Sequence, residues 1–287
     1  MPDPPRPSPW NDLTRPPLRA AALRRALVDA PGPWTSVEVL AATGSTNAEL
    51  AARARDGSVI DGAVLTTDHQ TQGRGRRDRS WTAPPRSSIA VSVLVVPADV
   101  PQHRWSWVPL LTGVAVARAL TEVAGVTAAL KWPNDVLVEA DGGQWGKVSG
   151  VLAQVVPTPS GAGVVVGVGL NVSQRADELP VPTAASLATL GAGSTDRDTV
   201  LRAVLRTWGD LLTTWRASGG DPEASGLGAA YRSACRTLGR DVEVHLPDGT
   251  ALAGRATSVD DEGRLLVRPA DGSPRRALAA GDVVHVR

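Results

Sequence analysis

Between two apolar runs lies Gln70-Thr-Gln-Gly-Arg-Gly-Arg-Arg-Asp-Arg-Ser-Trp81, with four arginines and two glycines in the seven residues from Gly73 to Arg79. Glycine removes the side chain and lets backbone approach a ligand, while guanidinium forks satisfy phosphate or carboxylate oxygens in pairs. The loop therefore suits a polyphosphate or an acyl phosphate, with Trp81 placed to stack on a base or to cover the site. A solvated or RNA-binding basic loop would have the same composition.

A second signal is which cation stands where. Of 30 basic residues only Lys131 and Lys147 are lysine. An ammonium is a compact point charge for a tight pocket, unlike the wide guanidinium fork. Lys147 begins an apolar strand in Gly146-Lys-Val-Ser-Gly150, where a lysine is costly unless an anion pairs with it. There it can neutralise a carboxylate and an α-phosphate as they react; an edge-strand lysine that guards against aggregation is the other reading. Lys131 opens Lys131-Trp-Pro-Asn-Asp135, in which Pro133 removes an amide donor and pushes Trp132 to extended geometry. Asn134 and Asp135 follow in a tight turn, either as turn formers or as groups that bind a nucleotide and organise Mg²⁺ near phosphates. Lys131 is expected to support that turn.

Two further segments carry polar groups. Val166-Gly-Val-Gly-Leu-Asn171 puts Gly167 and Gly169 on one face of a strand ending in Asn171. That face is a slot for a flat ligand or a place of close strand-on-helix packing. Ser45, Thr46 and Asn47 stand at a helix start, where free amides and hydroxyls hold a carbonyl or ureido oxygen, or simply cap the helix.

The elements that must position these groups follow from periodicity. Residues 18–30 form a short expected helix ended by Pro31-Gly32-Pro33. A strand-like run leads into a helix over 46–57, with Thr46 and Glu49 at capping-box spacing and Gly57 as its stop. Strands over 63–70 and 87–96 flank the arginine-rich loop. A helix over 107–125 precedes strands within 127–132, 136–140, 147–156 and 163–172, and amphipathic helices are expected over 199–218 and 226–239. After Gly239, short alternating strands joined by Pro-Asp-Gly, Asp-Glu-Gly and Ala-Asp-Gly turns match a small β barrel. The expected class is α/β (α+β), with a mixed or antiparallel sheet. The expected division is a Pro-rich segment over 1–36, a catalytic domain over 37–236 and a C-terminal domain over 237–287. No βαβ unit with GxGxxG opens the chain, so a dinucleotide-binding fold is not expected.

Composition sets bounds. A length of 287 residues leaves room for one large and one small domain. A net charge of +1 argues against a bulk nucleic-acid binder. One cysteine, Cys235, excludes an internal disulfide and a multi-cysteine zinc site, and fits a reducing cytoplasm. Residues 1–18, rich in proline, have no apolar core and are expected to be disordered or loosely draped, neither signal peptide nor anchor. No apolar run is expected to be long and uniform enough to span a bilayer.

Taken in order, GSTN, HQTQGRGRRDRSW, KWPNDVLV, GKVSGVLAQ and VGVGLNV resemble the biotin protein ligase family, from about residue 40 to the C-terminus. The resemblance implies a core related to class II aminoacyl-tRNA synthetases and an SH3-like C-terminal barrel. It implies that biotin and MgATP give biotinyl-5′-adenylate, and that a lysine of a biotin carboxyl carrier protein domain then takes the biotin. By motif, Ser45, Thr46 and Gln70 resemble ligands of the biotin ring, with Asn47, Gly73 and Gly150 beside them. Arg74, Gly75 and Arg76 resemble the loop that closes over biotin and the adenylate phosphate. Arg79, Trp81 and Lys131 belong to the ATP side, and Asn134, Asp135 and Asn171 to the nucleotide- and metal-organising positions. Lys147 matches the family's catalytic lysine, touching biotin and nucleotide alike, with Arg74 and Arg76 as its catalytic partners. No protein metal set is implied beyond Asp135, since Mg²⁺ enters mainly on the ATP phosphates.

The chain also departs from the family pattern. Asp78 stands where the family usually has Gly, which implies an Arg-Asp pair with Arg77 or Arg79; Ser149 replaces a common Ala and Gly44 a common Asp. Fewer than forty residues precede the core, too few for the winged helix-turn-helix of the repressor members, so a ligase without DNA binding and without a membrane is expected. A lipoate or octanoate ligase or transferase, and a nucleic-acid-binding regulator using the basic loop, are the competing functions. Monomer and homodimer both remain open.

Overall fold

In the computed structural model, which describes residues 14–286 apart from the side chain of Asp78, the first half runs α1 (Ala20–Leu27), β1 (Ser36–Leu40), α2 (Thr46–Asp56), β2 (Ala63–Thr67), β3 (Gly73–Arg74), β4 (Ser80–Trp81), β5 (Ser88–Val95) and α3 (Trp107–Ala124). The second half runs β6 (Ala128–Lys131), β7 (Asp135–Glu139), β8 (Trp145–Thr158), β9 (Gly161–Asn171), α4 (Arg197–Ala217), α5 (Leu227–Ala234), β10 (Asp241–His245), β11 (Ala251–Val259), β12 (Leu265–Pro269), β13 (Arg276–Leu278) and β14 (Asp282–His285).

Seven strands form one sheet in the order β1-β2-β5-β9-β8-β7-β6. Only β1 and β2 pair in parallel; the other neighbours are antiparallel. Alternation along the central strands sorts the layers. Ile89, Val91, Val93 and Val95 of β5, with Val164, Val166, Val168 and Leu170 of β9, join the core beneath α3 and α4. The opposite face packs Leu94 and Val165 against Leu50, Ala51 and Ala54 of α2. Beside α2 that face carries Gly167, Gly169 and Asn171 instead, so it opens into a cleft.

The second sheet is antiparallel, in the order β13-β12-β11-β10-β14. Its turn over 260–263 is seated on the larger sheet's helical layer: Trp107 Nε1 donates to Asp261 O (2.7 Å) and Trp132 Nε1 to Gly263 O (3.2 Å). Tryptophan rings supply apolar area and an N–H that needs a partner once buried. Both ends are used here.

Several expectations change. Residues 1–13 lie outside the described residues, but from residue 14 onward the segment is not loosely draped. Arg15 is 7% exposed, donates to Glu178 and to Ser173 O (2.8 Å), and Leu18 N donates to Asp68 Oδ1 (3.1 Å). The cap of α2 is Ser45, whose hydroxyl accepts from Ala48 N (3.4 Å), not Thr46, whose hydroxyl is engaged inside the fold. Glu49 pairs with Arg53 instead of closing a capping box. Helix α5 stops at Ala234, earlier than expected, because Cys235 joins the sheet as a bridge to Leu130 and Arg236 N bonds Leu130 O (2.9 Å). Among the described residues, Gln102–Ala124 is long and apolar enough by composition to cross a membrane, contrary to expectation, yet 72% of its most apolar window is buried inside the protein.

Candidate active site

The glycine notches decide what stands in the cleft. A Cβ at Gly167 would collide with the Asn47 carboxamide, and one at Gly169 with the Trp81 indole. The two glycines are therefore filled by neighbours: the start of α2 at one and the end of the arginine-rich loop at the other. Close packing is the reading the structure supports, and the indole lies as a lid on β9.

The start of α2 is built around one buried hydroxyl that sequence reasoning passed over. Ser92, fully buried on β5, bonds Thr46 Oγ1 (2.8 Å) and Asn47 Oδ1 (2.5 Å). Asn47 Nδ2 donates to Leu152 O (3.0 Å), and Gln70 Oε1 accepts from Thr46 N (2.9 Å) and Thr46 Oγ1 (3.2 Å). A serine inside the run Ile-Ala-Val-Ser-Val-Leu was the available signal, since buried hydroxyls require partners.

Lys147 reaches the cleft through a β-bulge. The β7–β8 register slips between Val136 and Leu137, pairing them with Ser149 and Lys147 and leaving Val148 extra. Val148 and Val151, three residues apart, consequently both enter the helical core, and Lys147 and Gly150 both face the cleft. Lys147 Nζ lies 2.6 Å from Asp135 Oδ1 and 6.0 Å from the centroid of the Trp81 ring. Gly150 leaves the space between that indole and the ammonium open.

The turn before β7 is closed by the Lys131–Asp135 strand pair. Lys131 lines the cleft but forms no ion pair among the described residues; the ionic partner of Asp135 is Lys147. Asn134 Nδ2 donates to Val151 O (3.0 Å), Val151 N donates to Asn134 O (2.9 Å), and Trp132 N donates to Thr237 Oγ1 (3.1 Å). The Trp132–Pro133 peptide is cis.

The arginine-rich loop is fastened to the C-terminal sheet. Arg76 Nη1 donates to Gly281 O (3.1 Å) and lies 3.4 Å from Asn134 Oδ1, while Arg77 Nη2 donates to His245 O (2.6 Å). Arg77 and Arg79 both pair with Asp282. Asp282 is thus the acidic partner of these arginines; the Asp78 pairing expected from the sequence falls on a side chain outside those described. Arg77 sits in the left-handed region (φ 53°, ψ 46°), a strained conformation for a residue with a Cβ. Burial pushes the Arg76 guanidinium below its ordinary pKa, against the pull of Asp282. Arg74 is exposed at the cleft and forms no ion pair among the described residues.

One cleft of about 740 Å³ gathers Ser45, Thr46, Asn47, Gln70, Arg74, Gly75, Arg76, Arg79, Trp81, Lys131, Asn134, Asp135, Lys147, Gly150 and Asn171. Gly73 is the exception: buried at the base of the loop, it lets β3 pass close to Gln70. The sequence pointed to neither Asp282 and Val283 of the C-terminal sheet nor Thr183 and Ala184 of the β9–α4 connection, all of which line the same cleft. Asp135 and Asp282 are its carboxylates, each already facing a cation. No cluster of three or more His, Cys, Asp or Glu among the described residues could hold a metal ion.

The chain matches the model of the biotin/lipoate A/B protein ligase family over residues 40–171 and that of the biotin protein ligase C-terminal domain over 237–286. It is 42% identical over 280 residues to the biotin--[acetyl-CoA-carboxylase] ligase of Mycobacterium tuberculosis, a match that covers 96% of this chain and 99% of that protein. It is 28% identical over 239 residues to the bifunctional ligase/repressor BirA of Bacillus subtilis, covering 82% of this chain and 69% of that protein. The biotin protein ligase from Aquifex aeolicus in complex with biotin and ATP superposes with a TM-score of 0.70 at 26% identity, over 88% of this chain and 100% of that one. An end-to-end match at this identity, on a mixed sheet with the same solved relatives, makes this chain a member of the biotin protein ligase family.

Proposed function

We propose that this chain is an ATP-dependent biotin protein ligase that forms biotinyl-5′-AMP and transfers the biotin to a lysine of a biotin carboxyl carrier protein domain. The observation that carries this reading is the single cleft in which a lysine ammonium, an arginine-rich loop and the polar start of α2 converge. In the first step a carboxylate oxygen of biotin attacks the α-phosphorus of ATP, and the bond to pyrophosphate breaks. In the second the acceptor amine attacks the acyl carbon, AMP leaves and the amine gives up a proton. Both substrates of the first step are anionic, so the protein's task is to orient them and neutralise charge, with no side-chain nucleophile.

Lys147 takes the reacting carboxylate and α-phosphate; Arg74 and Arg76 close over them. Ser45, Thr46, Asn47 and Gln70 form the polar end for the ureido ring, and Gly150 keeps the acyl chain's path open. Arg79, Trp81, Lys131, Asn134 and Asp135 form the nucleotide side, and Asn171 lines it with its carboxamide bonded to Ala185 and Gln174. Mg²⁺ would come with the ATP phosphates, and Asp135, now paired with Lys147, would be its protein contact. We read residues 37–236 as a catalytic domain of the class II aminoacyl-tRNA synthetase type and 237–287 as an SH3-like barrel, reaching the active site through Gly281 and Asp282. A reducing cytoplasm suits the single buried thiol, Cys235.

Biotin-stimulated exchange of pyrophosphate into ATP, followed by transfer of labelled biotin to a carrier domain, tests both steps. Exchange driven by lipoate or octanoate and not by biotin would overturn the substrate assignment.

A further inference from the structure

The bulge that aims Lys147 is not held by its own hairpin alone. Lys147 N donates to Thr183 O (2.9 Å) and Ala185 N donates to Lys147 O (2.9 Å), so the β9–α4 connection runs beside Lys147 as an isolated parallel bridge. Ala185 O accepts from Asn171 Nδ2 (2.9 Å), and Asn171 Oδ1 accepts from Gln174 Nε2 (2.9 Å). Both amides are buried, Asn171 at 5% and Gln174 at 1% exposure. Ser186, also buried, donates from its hydroxyl to Gln174 O (2.7 Å) and closes the chain onto the same connection.

Two features point to a purpose beyond filling space. Asn171 lines the cleft, yet both ends of its carboxamide are already bonded inward. Gln174 Oε1 is buried with no partner among the described residues. An unsatisfied buried oxygen is costly, so this side chain is kept for the N–H it gives to Asn171. We propose that Gln174 and Asn171 are positioning residues for Lys147, acting through Ala185 to fix the bulged backbone that turns the ammonium into the cleft. The inference rests on the reading of Lys147 as the cation at the reacting carboxylate and phosphate.

Gln174→Met tests it, because methionine fills the same volume without the N–H and without the orphaned oxygen. The expected result is at least a tenfold lower kcat for biotin-dependent pyrophosphate exchange, with KM for biotin and ATP and the melting temperature close to wild type. In a Lys147→Ala background the same substitution should cost nothing further, as for groups acting through one another. An unchanged kcat, or an equal loss in that background, would overturn the proposal. If Gln174→Met does not fold, Gln174→Glu decides. Its protonated carboxyl can donate to Asn171, while its carboxylate forces Asn171 to turn its NH₂ away from Ala185. Activity of that variant should therefore fall with rising pH relative to wild type; a parallel pH profile would overturn the proposal. Full activity of Lys147→Ala alone would instead remove the parent reading, and this one with it.

Discussion

Lys147 Nζ stands 2.6 Å from Asp135 Oδ1 because strand β8 carries one residue too many. Were Val148 paired in regular alternation, position 147 would share the face of Val151 and enter the helical core, where an unpaired ammonium is very costly. The bulge converts a position of core parity into one on the cleft. Asp135 pairs with the ammonium there, and the Trp81 ring stands 6.0 Å from it.

Lys147→Arg keeps the charge and should still abolish function. A guanidinium is planar and wider than an ammonium, and the space beside Asp135 and Trp81 is set by the bulge. Loss of one oriented group of this kind lowers kcat by about 10²–10³. Biotin-dependent pyrophosphate exchange measures it, and a wild-type rate in a folded variant would refute the role.

Asp282→Ala should free the arginine-rich loop while hardly changing stability. The pairs to Arg77 and Arg79 are partly exposed, and such pairs contribute about 0.2–1 kcal/mol. With Asp282 gone, Arg77 loses one of the contacts that hold it in the left-handed region. Tryptic cleavage after Arg77 or Arg79 should become several-fold faster, and biotin with ATP should restore protection. Unchanged cleavage would mean that the contacts of Arg76 and Arg77 to Gly281 O and His245 O suffice.

The elements of the core were legible because their signals are local. Apolar runs marked β5 and β9, and Gly57 and Gly125 stop α2 and α3 in left-handed backbone where expected. The grouping of the polar motifs was legible too: residues from α2, the loop, β7, β8 and β9 meet in one cleft. What could not be read depends on register or on distant chain. The bulge at Val148 changes the parity of a strand without changing its composition. Asp282 and Gln174 sit in unremarkable sequence and gain meaning only from partners at Arg79 and Asn171. Lys131 was expected to support the neighbouring turn; it pairs with Asp135 across that hairpin, while the side-chain bonds there come from Asn134 and Thr237, which the sequence did not point to as a pair.

His285 should make the fold sensitive to mild acid. Burial first, and then Lys131, Arg240 and Arg236, lower its pKa from 6.5 to about 4; Thr237 Oγ1 is 3.3 Å from its ring. In the unfolded chain the same imidazole protonates near its ordinary pKa of about 6.5. Between these values the unfolded state binds the extra proton, so the stability contributed by neutral His285 is present above pH 6.5 and is lost as pH falls towards 4. His285→Gln should flatten the fall in melting temperature over that window relative to wild type. Parallel curves for the two proteins would show that other groups carry the acid sensitivity.

Gly167→Ala and Gly150→Ala separate two uses of glycine on the same cleft floor. At Gly167 a Cβ meets the Asn47 carboxamide, which cannot swing away without losing Leu152 O and the Ser92 hydroxyl. Forcing atoms into such a packed place costs about 1–3 kcal/mol, and it displaces the polar start of α2, so both the melting temperature and the affinity for biotin should fall. At Gly150 a Cβ finds Trp81 Cζ3 at 3.5 Å and Lys147 Nζ at 3.6 Å, ordinary contact distances that leave the fold undisturbed. That variant should melt within about 0.5 kcal/mol of wild type, as neutral substitutions do, yet raise KM for biotin, because the methyl stands in the open space between indole and ammonium. Thermal melts paired with biotin KM values for the two variants check the contrast, and equal stability losses would show that Gly150 is a packing residue like Gly167.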